Sequence, residues 1–187
     1  MANLAARLIA EDGKTSFADA KQKAARQMGL TDQGSLPDNH EIETALRAYL
    51  SIFQGDSQPG ECRDLRRIAI EGMLWLDRFS PWLVGSVLSG TANRFSQIEL
   101  EIVDQDTMRL ELFFLNERVA FETRVAPAIS AHHQTTLNAI SIYEILFNEF
   151  PIVIWCFPSQ AARSAQRPRA SLHHARARLK DVEALLA

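Results

Sequence analysis

The hydrophobic pattern of this chain changes from helical to strand-like at Pro81, and this change restricts the fold more than any other sequence feature. Before Pro81, apolar residues recur every three to four positions, which is typical of amphipathic helices. After Pro81, short apolar runs and alternating segments predominate, which is typical of strands. The sequence therefore predicts an α+β protein in which N-terminal helices pack on a mixed β-sheet.

Four helices are predicted before Pro81. Met1 to Ala10 is expected to be a short amphipathic helix, because Arg7 interrupts its apolar run and Glu11 takes the place of a small-residue signal cleavage site. Three longer helices follow, each with apolar residues at helical spacing and turn residues at its ends. Their inward-facing residues are predicted to be Phe17, Ala20, Ala24 and Met28; Ile42, Ala45, Leu46, Tyr49 and Phe53; and Leu65, Ile68, Ala69, Leu76 and Phe79.

Strands are predicted in the second half of the chain. Ile98 to Val103 alternates cleanly between apolar and acidic residues, as a strand with one buried face does. Asp104 to Asn116 fits a helix with Met108, Leu112 and Leu115 on one face, but it also fits a strand. The other predicted strands are Trp82–Leu88, Val119–Val125, Leu137–Phe147 and Pro151–Phe157, the last two joined as a hairpin near Asn148 and Glu149.

Length and composition predict one compact domain. The chain has 187 residues, of which 47% are hydrophobic, and this is enough for a single buried core. We expect a helical part at 1–80, an α+β core at 81–158, and a basic tail with a short C-terminal helix at 159–187. The net charge of -3 argues against general nucleic-acid binding. The tail cations Arg163, Arg167, Arg169, Arg176, Arg178 and Lys180 are interpreted first as a solvated segment, and second as a phosphate-binding one.

Several other classes of function find no support in the sequence. No stretch has the roughly 18 consecutive apolar residues of a membrane-spanning helix, so no membrane association is expected. Cys62 and Cys156 lack the spacing of zinc ligands or of a disulfide framework, and a cytoplasmic location is expected. The pairs His132-His133 and His173-His174 are expected in surface loops, because adjacent strand residues point to opposite faces.

Two short motifs carry chemistry. Glu99 and Glu101 are spaced i, i+2 on a predicted strand, which directs both carboxylates to one face. Paired carboxylates of this kind hold the two divalent cations of phosphoryl and nucleotidyl transfer. Gly85 and Ser86 follow a short strand, and a turn of this type can hold a phosphate with backbone amides and a hydroxyl.

The segment from Leu83 to Ile102 combines these motifs and resembles the signature of polymerase-beta-like nucleotidyltransferases. That signature is a hydrophobic-Gly-Ser turn, a short glycine-containing loop, and alternating acidic and hydrophobic residues on a strand. The resemblance covers about 20 residues, and the flanking order of helix, strand and strand agrees with it. The chain also resembles a group of bacterial proteins that carry the loop Ser89-Gly-Thr-Ala92.

The resemblance can be aligned in two ways. In the first, Ser96-Gln97-Ile98-Glu99 matches the motif, so that Gln97 replaces the first metal-binding acid and Glu99 is the one that is kept. In the second, Glu99 and Glu101 are the two acids. The first alignment also places Ser96 and Gly90 where the family has a serine and a glycine. The family's third acid has no counterpart in Pro151–Phe157.

The resemblance implies an enzyme that transfers a nucleoside monophosphate from an NTP to an RNA, protein or other acceptor. Mg²⁺ would be held by Glu99 and Glu101, which would also be the catalytic residues. The expected nucleotide-binding residues are Gly85, Ser86, Ser89, Gly90 and Arg94. The alternative is a catalytically inactive fold that binds a nucleotide, an RNA or a protein. A third interpretation makes both glutamates simply the polar face of a strand.

Overall fold

The computed structural model describes residues 1–12, 15, 17–29, 36–53, 57–104, 106–127, 139–157 and 175–187. Its helices are α1 (Ala2–Asp12), α2 (Phe17–Gln27), α3 (Asn39–Phe53), α4 (Gln58–Trp75), α5 (Gly85–Ser89), α6 (Met108–Asn116) and α7 (Leu179–Ala184). Its strands are β1 (Trp82–Val84), β2 (Ile98–Val103), β3 (Phe121–Pro127), β4 (Ala139–Phe147) and β5 (Phe150–Phe157). The predicted α+β class is confirmed.

The chain forms two compact units. Unit 1 comprises Met1–Leu65 and Ser89–Ser96, and unit 2 comprises Arg66–Leu88 and Gln97–Ala187. In unit 1, α1, α2 and α3 pack through small residues, and Ala5, Ala20 and Ala24 are fully buried together with Ile42. Alanine side chains allow helices to approach closely while still excluding water.

The start of α3 is capped by Asp38 and Glu41. The Asp38 carboxylate accepts a hydrogen bond from the Glu41 amide at 2.7 Å, and the Glu41 carboxylate accepts one from the Asp38 amide at 2.8 Å. Such a reciprocal pair satisfies two amides that would otherwise lack partners at the start of a helix.

Unit 2 is built on a five-stranded mixed sheet with the strand order β1-β2-β5-β4-β3. Strand β2 pairs antiparallel with β1 and parallel with β5, and the pairs β5–β4 and β4–β3 are antiparallel. Strand β1 therefore lies at one edge, and β2 lies between β1 and β5. This arrangement places the two glutamates of β2 one strand inside the sheet edge.

One face of the sheet is covered by aromatic residues from α4 and α6. Trp75 contacts Phe113 with 4.7 Å between ring centroids, and Phe114 contacts Tyr143 of β4 at 5.8 Å. Tyr143 and Phe114 are fully buried. The opposite face carries Glu99 and Glu101 together with an apolar cluster of Ile140, Ile142, Val153 and Phe157.

Most predicted elements are confirmed, with shifts at their ends. Strand β2 has the predicted bounds, and the β4–β5 hairpin turns at Asn148 and Glu149, whose φ angles are 49° and 69°. The run predicted as a strand from Trp82 to Leu88 is extended only as far as Val84. Gly85 has a φ of 76° and begins α5, because a residue in the left-handed region ends the extended conformation.

Two residues predicted to face inward, Met28 and Phe53, are exposed, and residues 108–116 adopt the helical one of the two conformations that the sequence fits. Residues 108–116 form a helix, but the buried face is Leu110, Phe113 and Phe114, while Met108, Leu112 and Leu115 are exposed. The larger aromatic side chains occupy the interior in their place. Met28 is exposed because it follows the last residue of α2 in a turn. Phe53 is also exposed, since it is the last residue of α3 and packs on Tyr49.

Neither described cysteine is in a disulfide. Cys62 and Cys156 are both buried free thiols. Among the helices that the structure describes, none has the length and apolar character needed to cross a membrane.

Candidate functional site

The Gly85 turn lies directly beside Glu99. In the β1–β2 pair, Val84 is the last residue of β1 and is opposite Glu99. Gly85 follows Val84 directly, so the turn begins next to Glu99. Gly85 is buried and has a φ of 76°, a conformation that favours glycine over any residue with a Cβ. The structure therefore brings the predicted phosphate-binding turn and Glu99 together within unit 2.

The short helix that follows the turn is anchored by α4. The guanidinium of Arg66 donates hydrogen bonds to the carbonyl oxygens of Val87 at 3.0 Å and Leu88 at 3.2 Å. These carbonyls lie in the last turn of α5, where the helix leaves acceptors unsatisfied. The position of Ser86, which is half-buried in α5, is fixed by this attachment.

Glu99 and Glu101 share a face of β2, but their surroundings differ. Glu99 is half-buried, whereas Glu101 has no exposed surface. Directly across from Glu101 are Trp82 on β1 and Trp155 on β5. A carboxylate between two such side chains is removed from water, and burying it requires a compensating positive charge.

Arg176 supplies that charge. Its Nε lies 2.6 Å from Oε2 of Glu101, and its side chain is 25% exposed while that of Glu101 is 1% exposed. Arg176 precedes α7 and belongs to the tail that the sequence interpretation treated as solvated. That interpretation is wrong for Arg176.

Backbone pairing holds Arg176 in place. Ala177 forms an isolated antiparallel bridge with Leu83 on β1, with reciprocal amide-to-carbonyl hydrogen bonds of 2.9 and 3.0 Å. In an antiparallel pair, neighbouring residues follow in opposite order. Arg176 is therefore alongside Val84, and Arg178 is alongside Trp82.

Trp82 is the second partner of this segment. The Arg178 guanidinium carbon lies 3.5 Å from the centroid of the Trp82 ring, and that of Arg176 lies 5.4 Å away. Arg178 also donates hydrogen bonds to the carbonyl oxygens of Ser80 and Pro81. We call residues Ala175–Arg178, with these attachments to β1, the C-terminal strap.

The carboxylates of β2 do not fit a site for two divalent cations as they stand. Glu101 is already paired with Arg176, and the positions on β5 that flank the two glutamates are Val153 and Trp155. Within the described ranges, no group of three or more His, Cys, Asp or Glu side chains could hold a metal ion. The magnesium role of Glu99 and Glu101 stays a prediction, and no third acid stands beside them on β5.

The other predicted nucleotide-binding residues belong to unit 1. Gly90 has a φ of 83°, and its carbonyl oxygen accepts a hydrogen bond from the buried Gln58 amide at 2.9 Å. The hydroxyl of Ser89 is 2.9 Å from that of Thr91. These contacts fix the conformation of the Ser89–Ala92 loop and give it a structural role. A nucleotide-binding role for Ser89 and Gly90 stays a prediction.

Arg94 is exposed and is engaged locally. Its amide donates to a carboxylate oxygen of Glu61 at 3.0 Å, and its guanidinium carbon lies 4.6 Å from the centroid of the Phe95 ring. The expected nucleotide-binding role of Arg94 stays a prediction. The histidine pairs at 132–133 and 173–174, and Arg163, Arg167 and Arg169, lie outside the described residues.

Sequence reasoning missed Arg176 and Trp82 as neighbours of the glutamates. One signal was present, because Arg176 and Arg178 are spaced i, i+2 as residues on one face of an extended segment are. A second was that a glutamate in a strand flanked by apolar strands requires a partner.

Comparisons with known proteins give only weak structural likeness. No family model matches the sequence, and no curated protein matches it significantly. Among solved structures, the chain is similar to Cid1 in complex with the UTP analog UMPNPP, with a TM-score of 0.36 and 18% identity. The match covers 63% of this chain and 37% of that chain, so this chain spans well under half the length of Cid1. This likeness is too low to assign a family, a substrate or a metal.

Proposed function

We propose that this protein is a nucleotidyltransferase-like domain that binds a nucleotide without divalent metal and does not transfer it. The observation that carries this proposal is the buried ion pair between Glu101 and Arg176, 2.6 Å apart. The resemblance of Leu83–Ile102 to the nucleotidyltransferase signature supplies the class of ligand. The ion pair supports the inactive alternative over the active one.

The negative charge of Glu101 is already compensated within the protein. A carboxylate that binds two cations must present unpaired oxygens to them. Here Arg176 already compensates Glu101, and a cation bound at Glu101 would have to separate this partly buried ion pair. Breaking a buried ion pair costs about 3–5 kcal/mol. A divalent cation at Glu101 would have to offset this cost before it could act.

The turn retains the features that phosphate recognition needs. Gly85 keeps the left-handed conformation that allows close approach of a ligand to the backbone. Ser86 follows it on an anchored helix, and Glu99 is the nearest acid across the β1–β2 pair. We propose that the Gly85 amide and the Ser86 hydroxyl hold the phosphates of the nucleotide. Whether RNA or protein is a further partner stays a prediction.

Isothermal titration of the intact protein with ATP and UTP, in EDTA and then in excess Mg²⁺, tests the proposal. We expect binding of similar affinity in both conditions, and no release of pyrophosphate in Mg²⁺. Ser86→Ala should weaken binding about tenfold, which is the loss of one hydrogen bond to a charged group. Thr123→Ala, an exposed hydroxyl on β3, is the matched control and should bind as the unmodified protein does.

Two results would contradict the proposal in different ways. Absence of nucleotide binding in both conditions would remove the nucleotide-binding role. Binding that requires Mg²⁺, with pyrophosphate release abolished by Glu99→Gln but not by Glu122→Gln, would establish the active alternative. Glu122 is a suitable control because it is an exposed glutamate on the same sheet.

A further inference from the structure

We infer that the C-terminal strap is an autoinhibitory latch, which closes the β1 edge beside the Gly85 turn and opens when ligand binds there. This inference rests on the proposed function, because it regulates the same site. It goes further in naming a part of the chain that competes with the ligand.

The register places the strap next to the turn. Ala177 is paired with Leu83, and antiparallel order then puts Arg176 alongside Val84 and Ala175 alongside Gly85. The Arg176 side chain lies on the face of the sheet that carries both glutamates, since it reaches Glu101. A phosphate held by the Gly85 amide would therefore meet the strap at Ala175 and Arg176.

The strap is attached to β1 by few backbone hydrogen bonds. The strap makes one isolated bridge to β1, whereas β1 and β2 share three paired positions and β2 and β5 share six. A segment that is held by few backbone hydrogen bonds can open locally at a lower free energy than global unfolding requires. The side-chain contacts of the strap are those of Arg176 with Glu101 and of Arg178 with Trp82, beside the buried Ala177 and, in α7, the buried Val182.

The charges keep the closed state dominant. Opening separates Arg176 from a carboxylate that has no exposed surface, so the open state is a minor one. A ligand that binds only the open state has its affinity reduced by the fraction of molecules that are open. Ligand and strap closure are then reciprocally coupled, so bound ligand must loosen the strap.

Hydrogen exchange of the intact protein tests whether the latch opens. The amides of Leu83 and Ala177, which form the bridge, should exchange by local opening at least about tenfold faster than the amides of β2 that pair with β5. Exchange of the bridge amides at the same rate as the central β2 amides, through global unfolding alone, would overturn the inference. This measurement requires no ligand, so it stands even if nucleotide binding fails.

A locked variant tests the coupling to the site. Leu83→Cys with Ala177→Cys places two thiols at a hydrogen-bonded antiparallel pair, whose Cα separation of about 5.5 Å is within the range of a disulfide. The oxidised form should bind ATP at least about tenfold more weakly than the same protein after reduction. Equal affinity in the two forms, both of which bind, would overturn the latch while leaving the proposed function intact.

An opened variant should have the opposite effect. Arg178→Gln removes the guanidinium from Trp82 without leaving a buried carboxylate unpaired, so it is expected to fold. It should tighten ATP binding and speed exchange at Leu83 and Ala177, each by about threefold to tenfold. Lys180→Gln, an exposed cation on α7, is the matched control and should change neither. Weaker ATP binding by Arg178→Gln would instead make this arginine a ligand contact, and would overturn the latch.

Discussion

At the scale of single residues, the side chain that determines most of the site's chemistry is Glu101. It lies between Trp82 and Trp155 with no exposed surface, and its charge is balanced by one guanidinium. Such a pair contributes little to stability relative to apolar residues of the same size, but breaking it is costly. Joint replacement of Glu101 and Arg176 should therefore cost less than the sum of the two single replacements.

This gives a prediction for a double-mutant cycle. Arg176→Gln should lower the free energy of unfolding by about 3 kcal/mol, because it removes the positive charge that faces the buried Glu101 carboxylate. Glu101→Gln should lower the free energy of unfolding by less, because the Arg176 side chain is 25% exposed and water can hydrate its charge. The double variant should cost less than the sum of the single changes by about 1–3 kcal/mol. Urea unfolding at pH 7 measures all three, and additive effects would contradict a direct pair.

At the scale of elements, the β1–α5 connection depends on the backbone of Gly85. Gly85→Ala places a Cβ on a residue with a φ of 76°, which should cost about 1–2 kcal/mol. Gly60→Ala in α4 is the matched control, since a Cβ there meets nothing within 4 Å. It should be neutral or stabilising by up to about 1 kcal/mol. Thermal unfolding measures the stability of the two variants. An equal change in stability would show that a Cβ at position 85 causes no strain.

The loop at Ser89–Ser96 depends in the same way on one amide side chain. Asn93 is buried in unit 1, and its side chain donates to the Ala10 carbonyl at 3.0 Å and accepts from the Phe95 amide at 3.0 Å. Asn93→Ala should cost about 1–3 kcal/mol, because it leaves buried backbone groups unpaired. The exposed Asn116 at the end of α6 is the control, and Asn116→Ala should stay within about 0.5 kcal/mol in chemical denaturation.

The elements also show what local sequence can and cannot predict. Strand β2 was predicted with its bounds because Ile98, Leu100 and Ile102 alternate with polar residues, and that pattern is local. The conformation and buried face of α6 were left open by the sequence, since two sets of apolar residues compete on that segment. Aromatic neighbours from α4 decide between them, as the Trp75–Phe113 contact shows. No pattern within residues 108–116 contains that information.

The same limit applies more strongly to the candidate site. The Gly85 turn and Glu99 were predictable because they lie within one 20-residue motif. Arg176 is far from Glu101 in sequence, and only the β1 bridge to Ala177 brings them together. A basic segment read alone resembles a solvated tail. The pairing therefore required the three-dimensional arrangement.

At the scale of the whole molecule, alkaline pH should destabilise the protein through two buried groups. Burial, with the hydrogen bond to Glu111, raises the pKa of Tyr143 to about 12. Burial, with the charge of Asp104, raises the pKa of Cys156 to about 12. Because both folded pKa values exceed the ordinary ones, stability is fully present below the unfolded pKa. It is lost as the pH rises toward 12, since the unfolded chain releases these protons first.

Unfolding by urea between pH 8 and 12 checks this prediction. Tyr143→Phe removes a hydroxyl that donates to Glu111 at 2.8 Å, so it should cost about 1 kcal/mol at pH 8. It should also flatten the loss of stability above about pH 10. Tyr49→Phe, on a half-buried tyrosine in α3, is the control and should retain the full alkaline slope. An unchanged slope in Tyr143→Phe would contradict this source of the pH dependence.

The bridge between Leu83 and Ala177 has a consequence for biosynthesis. A ribosome releases the chain from its N-terminus onward, so β1 and β2 emerge well before residue 176. During that interval the Arg176 guanidinium is not yet available to pair with the Glu101 carboxylate. The β1 edge is therefore expected to be completed late in the folding of this sheet, after β1 and β2 have been synthesised.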